Sequence, residues 1–422
     1  MTYAPAPRDW SADRPQAVSP SLLTVATAVV MLLIFSAGWQ LPLFGEKADE
    51  AASGLLRVAF LPAYGLTFLL IMGRPWNIIR VAVRQPFLIV LIGVIVASIA
   101  WSVQPDVSIR RGFAVACTTL AGLALASTFR WSELARVYGI VFCILIVSSY
   151  AVSLALPSIG VMTEIFPGAW RGLWREKNGL GGLMAFGACL LGAAALLNPD
   201  RAKLFSLFAG LAVWLVLLSQ SKTALGSLLV GMTALGFVWI VQRGPAMGAA
   251  ATLIGVTGAL LVVMFVLLAS DVFFSILGKD ATLTGRTEIW TAAMRQIEQR
   301  PWLGYGYAAV WNDTSGWGPL PWIVHDADFV PQHAHNTWLE QWLGIGLFGL
   351  IAWGLFYLQT LSLALVAVYR ERGAMLAFPF LVGFTLVSLT ESIAVVYNDF
   401  RWVLFVSLAA KLAFSDRALD ES

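Results

Sequence analysis

Charge is scarce in this chain. Only 12% of its 422 residues are charged, where an ordinary soluble domain carries about a quarter. Together with 59% hydrophobic residues and a mean hydropathy of +0.78, the shortage excludes a soluble globular protein and points to an all-α polytopic membrane protein. Cysteine is scarcer. Cys117, Cys143 and Cys189 all lie in apolar runs and form no CxxC pair, which excludes a disulfide framework and a thiolate metal site. The 27 basic residues are spread over short loops with no stripe or cluster, which excludes nucleic acid as a partner. No internal repeat, inverted or parallel, is visible in hydropathy or motif. Histidine is as rare as cysteine, and His325, His333 and His335 stand close together.

What the chain does have is apolar length. Residues 1–20 are polar and dotted with proline, and read as a disordered cytoplasmic tail. The apolar run after Pro20 is too long and too late for a signal peptide, so it reads as a retained first span. A crossing helix needs about 20 apolar residues. On that ruler, spans are expected near 21–41, 54–73, 86–102, 110–128, 134–156, 178–197, 203–220, 223–242, 247–269, 336–368, 374–393 and 399–414, about twelve in all. Residues 21–269 then hold spans one to nine, 270–334 one long periplasmic loop, 335–414 spans ten to twelve, and 415–422 a cytoplasmic tail. With the N-terminus inside, Arg74, Arg80, Arg84, Arg130, Arg136, Arg201, Lys203, Arg243, Arg370 and Lys411 fall on the cytoplasmic side. The outer side keeps Arg110, Arg111, Arg171, Arg175, Lys177, Lys222, Arg286 and Arg401, against the positive-inside bias. Either a task holds those cations there or the topology is shifted by one span. The long loop carries one amphipathic helix, about Arg286 to Arg300, with Ile289, Trp290, Ala293, Met294 and Ile297 on one face and Pro301 ending it.

Four stretches carry candidate chemistry, each with an ordinary alternative. His335-Asn336, nine residues, then Gly346-Leu347-Phe348-Gly349 fits H-[NSQ]-x9-GxxG, preceded by Gln332. A histidine at the outer end of a span could orient or deprotonate a hydroxyl, and the glycines would admit a neighbouring helix. An interfacial histidine before a packing motif is the plain reading. Gly285-Arg286-Thr287 opens the loop helix, where an arginine joins backbone N–H donors as a phosphate receptor; a solvated first turn would look the same. Ser219-Gln220-Ser221-Lys222-Thr223 is a polar island between two apolar runs, and Lys222 either binds an anion or snorkels. Arg171-Gly-Leu-Trp-Arg175-Glu-Lys177-Asn178 gathers three cations before a span, costly near lipid unless an anion answers them, although Glu176 and Glu164 would partly neutralise them. His325, Asp326, Asp328, His333 and His335 match no standard ligand spacing, so no metal is expected. Glu391, with Asn398, Asp399 and Arg401, reads as a structural ion pair.

At these residues the chain resembles the O-antigen ligase and polymerase superfamily of bacterial envelope polysaccharide enzymes. The His335-Asn336 to Gly349 pattern is similar to that superfamily's signature, and GRTEIW (285–290) followed by PWLGYG (301–306) to its long-loop motif. SKTALG (221–226) resembles the place where many members carry Ser-Arg-small; the lysine here is a departure that weakens a bidentate grip on phosphate. RGLWREKNGLGG (171–182) resembles the version found in exopolysaccharide polymerases. The resemblance implies an inverting glycosyltransferase of the bacterial inner membrane, needing neither metal nor cofactor, its active site facing the periplasm. The donor it implies is an undecaprenyl-pyrophosphate-linked oligosaccharide. The acceptor is a glycan or lipid A core, with membrane lipid, a chain-length regulator and a flippase as further partners. Arg286, Lys222 and one of Arg171 or Arg175 would hold the pyrophosphate, and His335 would orient or deprotonate the acceptor hydroxyl. Lys177, Asn178, Asn336 and Gln332 would complete substrate binding. The 171–178 stretch favours polymerisation of exopolysaccharide or O-antigen units. An O-antigen ligase, a protein O-oligosaccharyltransferase and a lipid-linked sugar transporter are the alternatives, the last expected to show inverted repeats or broken helices.

Overall fold

The computed structural model describes residues 20–45, 54–55, 58–164, 166–268, 285–313, 315–416 and 419. The expected N-terminal tail, the first part of the long loop and most of the C-terminal tail lie outside the described residues. Within them the chain is helical, with only one isolated bridge, Val161 to Trp170.

The helices are α1 (Leu22–Phe35), α2 (Leu61–Gly73), α3 (Pro75–Val83), α4 (Pro86–Ala97), α5 (Pro105–Thr128), α6 (Trp131–Ala155), α7 (Lys177–Leu197) and α8 (Ala202–Ser219). They continue as α9 (Lys222–Val241), α10 (Pro245–Leu268), α11 (Arg286–Gln299), α12 (Leu320–Ala327), α13 (Thr337–Arg370), α14 (Ala374–Ser388) and α15 (Phe400–Ala413). Two further single helical turns occupy Gln40–Phe44 and Pro157–Gly160. Proline opens α3, α4 and α5, where its fixed φ suits the first turn and its missing N–H leaves nothing unpaired. Side-chain caps open others: Ser221 accepts from the Ala224 N–H, and Asp399 from the Arg401 and Trp402 N–H groups.

Each expected span contains helix, but the lengths differ. Six helical stretches are long and apolar enough to cross a membrane alone: 105–128, 131–155, 177–197, 199–218, 222–241 and 337–370. A seventh crossing would be the pair α2 and α3, bent by 98°. The bend has a local cause. Arg74 precedes Pro75 and is driven out of the helical region, to φ −150° and ψ 66°. Beyond it, α3 is amphipathic, with Trp76, Ile79 and Val83 exposed and Asn77 and Val81 buried. The segment expected over 374–393 yields only the 15 residues of α14, because the chain leaves the helix after Ser388. That is about 22 Å of helix against a hydrocarbon core of about 30 Å.

Helix order fixes which residues share an end of the bundle. α9 runs antiparallel to α14, Gly226 lying against Leu386 and Gly231 against the Pro379 carbonyl. The start of α9 therefore meets the end of α14. α5 runs parallel to α15, with Gly122 against Val406 and the Trp402 indole donating to Thr119 at 2.9 Å. Both helices thus start at that same end, as does α7, where Gly181 fits beneath Ser219 and Ala224. α11, α12 and the loops around them cap it. Beneath it lies an aromatic core in which Trp353, Trp402, Phe405 and Phe384 meet at centroid distances of 4.7–5.9 Å.

The GxxG stretch departs from expectation. Its glycines do not receive a neighbouring helix. α13 breaks at Ile345 and Gly346, the latter at φ +68°, and residues 301–306 of the long loop enter the break. Leu347 N–H donates to the Pro301 carbonyl at 2.8 Å, while Tyr305 and Gly306 donate to the Leu343 and Gly344 carbonyls at 3.1 and 2.8 Å. A side chain at Gly346 would sit 2.1 Å from the Trp302 carbonyl oxygen. Loop backbone thus satisfies the groups that the broken helix frees, as nonhelical backbone at membrane depth requires. A broken helix is therefore present, but here it serves to dock the loop.

Candidate active site

The site is built on the irregular, turn-rich connection between α14 and α15, residues 389–399, gripped from both sides. Thr337, in the first turn of α13, donates its hydroxyl to the Glu391 carbonyl at 2.9 Å and accepts from the Ile393 N–H at 3.0 Å. Arg286, the first residue of α11 after a left-handed Gly285, reaches across to donate one nitrogen to the Thr390 carbonyl. Its other terminal nitrogen meets Glu391 Oε1 at 2.8 Å. Glu391 Oε2 lies 3.0 Å from His335 Nδ1. One carboxylate thus bridges the arginine and the histidine that the sequence singled out, and all three are largely buried.

The electrostatics follow from that bridge. Burial pulls Glu391 upward, but the His335 hydrogen bond and the charge of Arg286 outweigh it and hold the carboxyl at about 2. An ionised carboxylate only accepts, so His335 Nδ1 carries the proton of the bond and Nε2 of the neutral ring is left as a bare lone pair. That is the arrangement of a general base. His335 sits at φ +50°, a conformation that L-residues rarely take, held there by its own N–H bond to His333 Nδ1 at 3.2 Å. Burial, with the nearby charges of His335, Arg401 and Arg286, pushes His333 down to about 4.

Beside this triad opens a cavity of about 860 Å³. His333, Glu340, Gln341 and Gln332 line its inner wall, and Arg110, Arg111, Arg401, Tyr307 and Tyr397 others. Glu340 accepts from the Trp311 indole, the Ala334 N–H and the Ser392 hydroxyl at 2.5, 2.8 and 3.1 Å.

The remaining expected residues separate into groups. Lys177 and Lys222 lie close enough to repel, at the start of α7 and α9, the end of the bundle that also holds Glu391. Lys177 stands 3.6 Å over the Phe166 ring, and Asn178 accepts from the Ser221 hydroxyl at 2.8 Å. Arg175 is exposed. Arg171 is buried, its Nε and Nη2 donating to the Ile159 and Ser158 carbonyls at 2.7 and 3.2 Å, so it fastens the 157–160 turn. Asn336 is engaged too: its oxygen caps α13 and its amide donates to the Leu389 carbonyl at 3.4 Å. Gln332 is exposed on the cavity wall. His325 is apart, 82% exposed and paired with Asp326, which also meets Arg295 at 2.9 Å.

Sequence reasoning missed Glu391 as the partner of both His335 and Arg286, and assigned it instead to Asn398, Asp399 and Arg401. Arg401 makes its direct ion pair with Asp399, at 2.5 Å, and feels the Glu391 charge only at longer range. The available signal was a solitary acid soon after an apolar helix. His333, His335 and Glu391 also form the metal-capable group among the described residues, their donor atoms within 4.8 Å of one another. The guanidinium already on Glu391 and the charge of Arg401 beside His333 both compete with a cation there.

Residues 205–354 match the family model of the O-antigen ligases, a stretch that includes Lys222, Arg286, Gln332, His335 and the α13 break. Over those residues the chain resembles the O-antigen ligases. Glu391, Arg171 and the cations of α5 lie outside the matched stretch. The chain is 28% identical over 267 residues to the exopolysaccharide production protein ExoQ of Rhizobium meliloti, covering 60% of this chain and 59% of that protein. It is 30% identical over 189 residues to an O-antigen ligase of Pseudomonas aeruginosa, covering 40% of this chain and 42% of that one. The chain thus matches about half the length of these curated relatives. This likeness and the apolar helices together mark it as a multi-pass membrane protein.

Proposed function

We propose that the chain is a membrane glycosyltransferase that moves a glycan from an undecaprenyl-pyrophosphate donor to an acceptor glycan at the periplasmic face of the bacterial inner membrane, polymerising exopolysaccharide or O-antigen repeat units. The observation that carries this reading is the bridge of Glu391 between His335 and Arg286, a base and an anion receptor tied together at one end of the bundle. In the reaction, the acceptor hydroxyl attacks the anomeric carbon as His335 Nε2 takes its proton. The bond to the pyrophosphate oxygen breaks, the configuration inverts, and Arg286 and Lys222 stabilise the charge that gathers on the leaving group. The leaving group already carries the activation, so neither metal nor cofactor takes part. Glu391 holds the imidazole in the basic tautomer and aims the guanidinium. Arg175, Lys177 and Asn178 stand nearer solvent than Arg171, which suits them to the donor's phosphates and first sugars. The twelve-span topology, with α11 and α12 capping the site from the periplasm, belongs to the same reading.

A second reading, ligation of finished O-antigen to lipid A core, is favoured by the family match and by the Pseudomonas aeruginosa relative. One experiment separates them: a deletion strain carrying the wild-type chain or His335→Ala, with surface polysaccharide resolved by size. Long chains restored from single repeats by wild type alone would establish polymerisation through His335. Long lipid-linked chains that fail to reach a final acceptor would establish ligation. Full rescue by His335→Ala would overturn the base assignment.

A further inference from the structure

The bond between His335 and Glu391 joins two segments far apart in sequence, and one side chain outside that bond holds both. The start of α13 turns Thr337, Glu340 and Gln341, at i, i+3 and i+4, toward the connection between α14 and α15. Thr337 takes the peptide groups on either side of Ser392, and Gln341 donates its amide to the Ala394 carbonyl at 3.3 Å. Glu340 reaches further. Its Oε2 accepts from the hydroxyl of Ser392, the residue after Glu391, at 3.1 Å. The same oxygen accepts from the N–H of Ala334, the residue before His335, at 2.8 Å. Its Oε1 accepts from the Trp311 indole of the long loop at 2.5 Å.

That junction bears on the backbone at His335. A φ of +50° on a residue with a side chain persists only where surrounding contacts over-determine it. Ala334 is buried, and both of its backbone polar groups are engaged: the N–H by Glu340 and the carbonyl by the Trp290 indole at 2.8 Å. Trp290 stands one turn along α11 from Arg286. On the other side of His335, Asn336 caps α13. Removing the Glu340 carboxylate would leave the Ala334 N–H a buried donor without an acceptor. Rotation of the backbone toward another acceptor relieves that cost and shifts the His335 ring relative to Glu391. A carboxylate suits the junction because two oxygens can accept from three donors, whereas an amide offers one accepting oxygen.

We propose that Glu340 is a positioning residue for the base. It acts through the residues beside His335 and Glu391, and sets the distance and angle at which Nδ1 meets the Glu391 carboxylate and Nε2 faces the acceptor. The effect on transfer rests on the glycosyltransferase reading; the effect on the imidazole does not. Through Trp311 the long loop belongs to the same clamp.

The test takes two readouts on the full chain in phosphatidylcholine nanodiscs. The first is the imidazole itself. The chain has only three histidines, so nitrogen-isotope labelling of histidine, with His335→Ala to assign the signals, reports the tautomer of His335 alone. In alkaline buffer, where imidazoles are neutral, wild type is expected to carry the proton on Nδ1 only. Glu340→Ala is expected to show both tautomers. Glu340→Gln should stay close to wild type, because the amide oxygen still accepts from Ala334 and Ser392 and only the Trp311 bond is lost. The second readout is single-turnover release of lipid pyrophosphate at saturating donor. Glu340→Ala is expected to slow it by about 10- to 100-fold, the scale of a misplacement of about 1 Å, and Glu340→Gln to recover most of the rate. In a His335→Ala background the same Glu340→Ala change should alter the residual rate by no more than about twofold, since the group it positions is gone. A wild-type tautomer in Glu340→Ala would overturn the proposal. So would an equal rate loss with and without His335, which is what a merely structural carboxylate produces. A wild-type rate in His335→Ala would instead remove the base reading, and the effect on rate with it, while the tautomer result stands.

Discussion

At one end of the bundle Glu391 lies 2.8 Å from Arg286 and 3.0 Å from His335; at the other, the fully buried ammonium of Lys411 lies 2.8 Å from Asp416. Both join a buried or largely buried base to a carboxylate, and burial of the base alone would rank them together. Their surroundings differ. Around Asp416 the partners are structural: it also accepts from the Trp131 N–H, while Glu371 takes the Trp131 indole at 3.3 Å and Gln242 reaches its carbonyl at 2.9 Å. These contacts tie helix ends together. Around Glu391 the partners are chemical. A ring nitrogen is left bare, a residue is held at positive φ, and a cavity of about 860 Å³ adjoins. A buried ion pair is therefore weak evidence of function. Strain and an adjoining void beside the pair are what mark the loop-bearing end.

That contrast can be broken by substitution. Arg286→Ala is expected to lower glycan transfer by about 100- to 1000-fold, the usual cost of losing an oxyanion stabiliser, measured as turnover per folded molecule. Lys411→Met should leave turnover per folded molecule within about twofold while shifting the unfolding temperature, because it removes a structural ion pair remote from the site. A comparable loss of turnover from both would erase the distinction between the ends.

A smaller effect probes the loop dock. Gly346→Ala must accept φ +68° and a clash with the Trp302 carbonyl, so it should cost roughly 1–3 kcal/mol and release residues 301–306 from the α13 break. Faster proteolysis of the loop, with α9 and α14 still protected, is the expected signature. Unchanged proteolysis would mean that the loop does not depend on the break.

The smallest effect sharpens the comparison through pH. His333 titrates at about 4 in the fold, below the ordinary value of about 6.5. Its neutral form is the one the fold prefers, so its contribution is whole above about pH 6.5 and is lost as pH falls toward about 4. Glu391, held at about 2, keeps its contribution above about pH 4.3 and yields it only as pH falls further. The unfolding temperature should drop by about 2–4 °C per kcal/mol lost over the first window, and His333→Gln should flatten that drop. A slope that persists in His333→Gln would assign it elsewhere.

Much of this was legible in sequence for identifiable reasons. Apolar runs bounded by proline and polar caps announced the helices, and α5 to α9 begin within a few residues of where composition placed them. His335, Arg286 and Lys222 stood out as polar groups where apolar segments begin, and all three sit at one end of the bundle. The rest was hidden because it depends on tertiary pairing. Glu391 gains its meaning only when α14 returns beside α13. The glycines of 344–349 follow a helix-packing pattern, yet loop backbone uses them, and nothing local distinguishes the two. The length of α14 could not be read either, since the apolar stretch 374–393 continues past the point where Thr337 and Arg286 pull the chain out of helix.

The most direct test of the central claim is a single-turnover measurement on purified protein with a synthetic undecaprenyl-pyrophosphate oligosaccharide as donor and acceptor. Release of lipid pyrophosphate would be followed in wild type and His335→Ala, with unfolding temperatures matched. A loss of about 100- to 10,000-fold in His335→Ala is the outcome expected of a general base. Equal rates in the two proteins would contradict the account and move the chemistry away from the His335–Glu391–Arg286 bridge.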